Sequence, residues 1–200
     1  MLTPEEGEML VSMARSTISS YLQRKTPEED ATAGRFSGKA GVFVTLKTYP
    51  GLNLRGCIGF TEPAYPLAQA LRDAAIAAAA RDPRFRPVEK DELDSIVVEV
   101  TVLTAPRLLQ AASPEQYPSS IEVGRDGLIV ELGFHKGLLL PQVPVEWGWD
   151  STEFLSQTCV KAGLDADTWM TEDELKIFTF QGQIFSEESP GGAIAEGSRG

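Results

Sequence analysis

Apolar and polar positions change their period several times along the chain. Leu10, Ala14, Thr17 and Tyr21 recur at steps of three and four, which predicts a helix that docks one face on a core. Thr3, Pro4 and Glu6 supply its start, as a capping box with proline in the first turn. Residues 26–40 are polar and glycine-bearing and predict a connection. From Val42 the period becomes two: Val42, Val44 and Leu46 alternate with Phe43, Thr45 and Lys47, the spacing of a half-buried strand. Tyr49-Pro50-Gly51 predicts a turn in which proline fixes φ and Gly51 takes a positive φ, so that 52–60 returns as the second strand of a hairpin. Leu67, Ala70, Leu71, Ala74 and Ala78 predict a second helix from Pro66, and the prolines of the 81–87 segment stop it. The β-branched run over 96–103 predicts a strand.

A similar succession follows a Pro/Ser/Ala-rich loop over 105–120. Residues 121–123 and 128–132 flank Gly124-Arg125-Asp126-Gly127, and the Asp-Gly pair predicts a hairpin turn there. The apolar run 137–141 predicts a short buried stretch, and its proline marks an edge or a strand end. A third helix is predicted from Asp150, with Glu153 three places on, closed by Gly163. One closing strand is expected over 175–185, then a disordered tail over 186–200. Strands outnumber helices, so the expected fold class is α+β with mainly antiparallel sheets and packed helices. Hairpin, helix and strand occur twice in that order, which suggests an internal duplication, although no sequence repeat of fixed period accompanies it.

With 200 residues, 42% of them hydrophobic, the chain can bury a core without staples. Its formal net charge of −11 argues against a surface that grips nucleic acid all over. Two cysteines fit a reducing compartment, no apolar run approaches a membrane span, and the acidic start does not read as a signal peptide; a cytoplasmic protein with no membrane association is expected. A single histidine, the lack of Cys-x-x-Cys and the lack of glycine-rich phosphate loops point to no metal and no cofactor.

The sharpest local feature is Leu54-Arg55-Gly56-Cys57-Ile58-Gly59. Glycines inside a strand cost stability, and one return is access: a ligand can approach the Cys57 thiol and the backbone at Gly56 and Gly59. Arg55 beside it would favour the thiolate. The other reading is a small buried cysteine beside a bulge. Arg55, Arg72, Arg81, Arg84 and Arg86 face only Glu62, Asp73 and Asp82 between 55 and 86, a local cationic island. Such an island seats a carboxylate or phosphate, or else ties a loop to its own carboxylates. His135 is the only imidazole, Gln142 offers an amide to a ligand or to a broken sheet edge, and Trp147 with Trp149 forms an aromatic wall or part of the core.

These stretches, with Ala79-Ala80-Arg81-Asp82-Pro83-Arg84-Phe85, Glu99-Val100-Thr101-Val102-Leu103, Gly137-Leu138-Leu139-Leu140-Pro141-Gln142-Val143 and Lys161-Ala162-Gly163-Leu164 near Trp169, resemble the AMMECR-type family, the A component of the AmmeMemoRadiSam system. The resemblance runs from the first helix to Phe185. It implies one domain over 1–185 made of two interlocked subdomains, the smaller formed by a middle part of the chain. It also implies neighbours in function, a radical iron–sulfur enzyme and a Memo-type protein, but no settled reaction. The chain departs from the family pattern at Asp126, where many relatives have histidine, and His135 stands where an arginine is common. The expected function is a binding or accessory component of a modification pathway linked to a radical enzyme. Its anion-binding cleft would lie near Cys57, with Arg55, Gly56, Gly59, Arg81, Arg84 and Gln142 binding the ligand and a nucleotide or RNA as a further partner. The alternative is a thiol-dependent enzyme with Cys57 as nucleophile or carrier.

Overall fold

The computed structural model describes residues 1–25 and 33–197; the 26–32 part of the expected connection and residues 198–200 lie outside the described residues. Helix α1 (Pro4–Leu22) begins as its sequence dictates: the Glu6 N–H donates to Thr3 Oγ1 at 3.2 Å and the Thr3 N–H donates to Glu6 Oε2 at 2.9 Å. Leu10, Val11, Ala14 and Ile18 are fully buried, whereas Tyr21 stays 40% exposed at the edge of that face. Strands β1 (Val42–Thr48) and β2 (Leu54–Phe60) form the first hairpin, helix α2 (Leu67–Ala80) follows, and β3 (Ile96–Leu103) returns along the other side of β1. The positive φ of the hairpin turn falls on Leu52 (52°) rather than on Gly51.

The second strand–helix series departs from expectation at its turn. Residues 121–123 are not a strand; β5 (Gly127–Leu132) pairs with β6 (His135–Leu139) around Gly133-Phe134, and Gly133 takes φ 57°. The Asp-Gly pair precedes the hairpin because Asp126 is buried and accepts the Glu122 N–H at 2.9 Å, which folds the preceding loop back on itself. The sequence pattern did not indicate α3 (Gln142–Trp147). Helix α4 (Ser151–Lys161) starts at Asp150, whose Oδ1 accepts the Glu153 N–H at 2.8 Å, and Gly163 beyond its end has φ 78°. A short α5 (Thr168–Thr171) follows.

The single strand expected over 175–185 is two strands, β7 (Lys176–Phe180) and β8 (Gly182–Glu187), and they belong to different sheets. Where the tail was expected from Ser186, Ser186 and Glu187 complete β8 and β9 (Ile194–Glu196) pairs back onto it. The chain is α+β. One sheet has the order β2-β1-β3-β8-β9; the other has the order β4-β7-β5-β6, where β4 is Arg107–Leu108.

The chain divides into two compact units, one of 1–103 with 183–198 and one built on 104–182. In the first, α1 and α2 cover the face of the five-stranded sheet that carries Val42, Val44, Leu46, Val98 and Val100. In the second, α4 covers Leu128, Val130 and Ile177. Each unit holds the same series, a hairpin, a helix and a third strand paired to the first strand of the hairpin: β1-β2-α2-β3 and β5-β6-α4-β7. Among the described residues no helix is long and apolar enough to cross a membrane.

Candidate functional site

Strand β2 is the outer strand of its sheet, so its outward N–H and C=O groups lack a strand partner. The register puts Leu46 opposite Gly56 and Lys47 opposite Leu54, which leaves Arg55 as the extra residue of a bulge. Gly56 lies on the helix-covered face. A Cβ there would come 2.3 Å from Ala78 O, so this glycine lets α2 close on the sheet. Gly59 is equally confined, its Cβ position 2.4 Å from Val42 O and from the Phe43 ring. The room that these glycines create is therefore taken up by the chain itself.

Cys57 sits on the opposite face from Gly56 and is half-buried. Its Sγ accepts from Thr45 Oγ1 on the paired position of β1 at 3.3 Å. Its backbone is held by the loop that follows α2. The Cys57 N–H donates to Asp82 Oδ2 at 2.8 Å, and Arg84 Nη2 donates to Cys57 O at 3.2 Å. Arg84 also donates to Asp82 through Nε (2.9 Å), Nη2 (2.7 Å) and its own N–H (3.1 Å). A carboxylate and a guanidinium thus stand where a neighbouring strand would place a carbonyl and an amide. Asp82 is buried, and the Arg84 hydrogen bonds, helped by the N–H groups of Cys57 and Arg84, hold its carboxyl well below the usual carboxylate range against the cost of burial. In return Asp82, with a smaller contribution from Cys57, raises the Arg84 pKa.

The arginine island is answered largely from within the chain. Arg55 donates to both Glu92 oxygens at 3.1–3.3 Å and to Arg86 O at 2.9 Å. Arg86 pairs with Glu89 at 3.2 Å and Glu92 at 3.4 Å. Burial works against the charged form of Glu92, but the Glu89 N–H and the Arg55 guanidinium outweigh it and lower its pKa. Counting Glu89 and Glu92, the carboxylates equal the five arginines in number, and Arg55, Arg84 and Arg86 are paired with them. The sequence window of 55–86 stopped short of both glutamates and so overstated the positive charge. Arg81 is exposed and its side chain has no hydrogen bond or ion pair among the described residues, and Arg72 Nη2 on α2 is buried without a partner.

The remaining expected residues lie in the second unit. Gln142 opens α3 with its side chain exposed. His135 opens β6, and its Nδ1 lies 3.2 Å from Ala162 O. Trp147 and Trp149 stack with ring centroids 6.0 Å apart, and Trp147 is 70% exposed. Asp126 accepts from Arg125 (2.7 and 3.0 Å), Gln181 (3.0 Å) and the Glu122 N–H, which gives it a holding role. The candidate site of the first unit is thus Cys57, Thr45, Asp82 and Arg84, while Arg55 and Arg86 are joined to each other and to Glu92. The reading of the arginine island as a loop tied to its own carboxylates, with Asp82 between Arg81 and Arg84, holds for Asp82 and Arg84; the reach of Asp82 to the Cys57 N–H and the place of Thr45 were not expected. The signal for Asp82 was its place directly after a helix end and before a proline, where a short acidic side chain can turn back toward a strand edge.

The comparisons with known proteins agree in direction. A family model described as AMMECR1 matches residues 11–185. The chain is similar to Protein MJ0810 of Methanocaldococcus jannaschii, 52% identical with 98% of this chain and 97% of that one covered. It is similar to a protein of Thermococcus gammatolerans, 54% identical with 95% and 94% covered. The crystal structure of the uncharacterized protein PH0010 from Pyrococcus horikoshii superposes with a TM-score of 0.78 at 50% identity, covering 98% of both chains.

Proposed function

The chain belongs to the AMMECR1 family, and on that premise we propose that it is a binding component, not the catalyst, of a modification pathway linked to a radical iron–sulfur enzyme. Its contact is the Cys57 edge of the first unit, with the exposed Arg81 guanidinium supplying the attraction for an anionic group on the partner. One observation carries the preference for binding over catalysis: the groups around Cys57 are a hydroxyl and a guanidinium already engaged with Asp82, and neither takes up a proton at neutral pH. An edge whose Cys57 N–H and C=O are both held by side chains favours recognition of shape and charge. The link to the radical enzyme and to a Memo-type protein rests on the family resemblance alone.

Calorimetric titration of the intact chain with the radical iron–sulfur enzyme tests this. Binding that Arg81→Glu weakens about tenfold is the expected result. No heat, or an unchanged affinity, overturns it. Tight binding of RNA with a steep salt dependence, in place of the protein, would move the reading to a polyanion.

The half-buried thiol beside Arg84 favours a second reading, in which Cys57 is a nucleophile or carrier. A covalent adduct on Cys57 after incubation with the pathway's components, seen by intact-mass spectrometry, would favour it. Its absence with binding intact leaves the first reading standing.

A further inference from the structure

The hydrophobic core of the second unit reaches the surface at one end of the four-stranded sheet. A cavity of about 790 Å³ opens there among β4, the start of β7, the end of β5 and the turn that carries Tyr117. Its walls are polar and apolar in similar measure, and the apolar part is continuous with the core. Leu109, Tyr117 and Leu132 pack on the core yet remain only partly covered, and Leu175 and Ile177 close the floor. Leu108 stands at the mouth, 51% exposed. The volume falls in the range that holds a small ligand or a few side chains.

The rim carries charge of mostly one sign. Asp173 and Glu174 line the cavity, are exposed, and their side chains make no hydrogen bond or ion pair among the described residues. Glu131 on the same rim pairs with Lys136 at 3.1 Å, and Lys176 is the cation opposing them. The acidity extends beyond the rim, since residues 104–182 hold twelve acidic against five basic side chains. Two unpaired carboxylates at the mouth of a partly apolar cleft attract a cation, but a cation alone leaves the leucine side chains of the wall uncovered. The Leu109 N–H already donates to Ile177 O at 2.8 Å. That bond closes the nearby edge of β7, so an incoming chain would dock through side chains and not as an added strand.

We propose that this cleft docks a basic segment of a partner protein, with one apolar side chain seated between Leu109, Tyr117 and Leu132 and flanking lysines or arginines at Asp173 and Glu174. The surface lies wholly in the second unit, and the inference does not rest on the Cys57 edge.

Fluorescence anisotropy of a labelled six-residue peptide alternating lysine and leucine, titrated with the intact chain, tests it. The peptide should bind saturably, and binding should weaken about tenfold in the double variant Asp173→Lys/Glu174→Lys. Leu108→Ser, at an exposed position that leaves the core untouched, should weaken it severalfold. Peptides with glutamate for lysine, or serine for leucine, should bind at least about tenfold more weakly. Equal binding of the glutamate peptide, displacement by spermine as effective as by unlabelled peptide, or unchanged affinity in both variants would overturn the proposal.

Discussion

In the first unit a buried aspartate holds the backbone of another element; in the second a buried aspartate holds the backbone of its own loop. Asp82 and Asp126 are chemically close: each takes two hydrogen bonds from a neighbouring guanidinium, of Arg84 or Arg125, and one from the backbone N–H of a residue outside that pair. Asp82 accepts the N–H of Cys57, twenty-five residues away on an outer strand, whereas Asp126 accepts that of Glu122, four residues back. The strand–helix series around them repeats as well, down to a glycine under each helix. Gly56 faces Leu46 across β1 and lies under α2; Gly137 faces Val130 across β5 and lies under α4. The hairpin–helix–strand scaffold is shared; the first unit adds α1, β8 and β9 to it and, on its hairpin, the bulge at Arg55 and the closed edge at Cys57. That contrast locates recognition, on the reading proposed above, in the edge of β2 and not in the topology.

Filling the glycines should do the most damage to both units. A Cβ at Gly56 would meet Ala78 O at 2.3 Å, and one at Gly137 would meet Thr158 O and Ala162 N at 2.6 Å. Gly56→Ala and Gly137→Ala should each lower stability by about 3 kcal/mol in urea denaturation, because backbone atoms cannot step aside as a flexible side chain does. A neutral result at either position would end the equivalence of the two helices.

Next come the aspartates. Asp82→Ala and Asp126→Ala should each cost about 2 kcal/mol, mainly from the buried N–H groups left unanswered, with the partly exposed arginines contributing little. Hydrogen exchange separates them: the Cys57 amide should exchange faster in Asp82→Ala and at its original rate in Asp126→Ala.

A smaller effect concerns acid. The folded chain holds the carboxyls of Asp82, Asp126 and Glu92 below their ordinary values, so the unfolded chain takes up protons first as the pH falls. Their contribution to stability is complete above about pH 5 to 6 and is lost as the pH falls through the ordinary values and then the lower folded ones. Asp82→Asn and Asp126→Asn should each flatten the acid limb of a stability–pH curve; an unchanged limb in both would contradict the assigned shifts. The smallest difference is between the thiols. Burial pushes Cys159 up to about 11, while Cys57 is half-buried, so iodoacetamide near neutral pH should modify Cys57 and spare Cys159.

Much of the scaffold was legible in the residue pattern because period and caps are local properties. The capping box at Thr3, the β-branched run of β3 and the Asp150 start of α4 all stand where the sequence puts them. What stayed hidden depended on partners distant in sequence. Asp126-Gly127 looked like a hairpin turn because nothing nearby shows that the carboxylate is buried against Gln181. The alternation through 175–185 continues over a change of sheet at Gln181, since two strands in succession keep one period. Gly56 and Gly59 beside a cysteine resembled an opening for ligand; the helix and the side chains that fill the space come from 78 and 43. Cys57 and the 82–84 bend do meet, through Asp82 and Arg84, but at the Cys57 backbone, a contact that the sequence pairing of Asp82 with its neighbouring arginines does not reveal.

If the Cys57 edge is a contact surface, a bound partner must shield its thiol. The rate of iodoacetamide modification of Cys57, followed by peptide mass spectrometry with and without saturating radical iron–sulfur enzyme, reads that shielding out. The partner should slow Cys57 modification about tenfold or more. An unchanged rate in the presence of a bound partner, or no binding at all, would contradict the assignment.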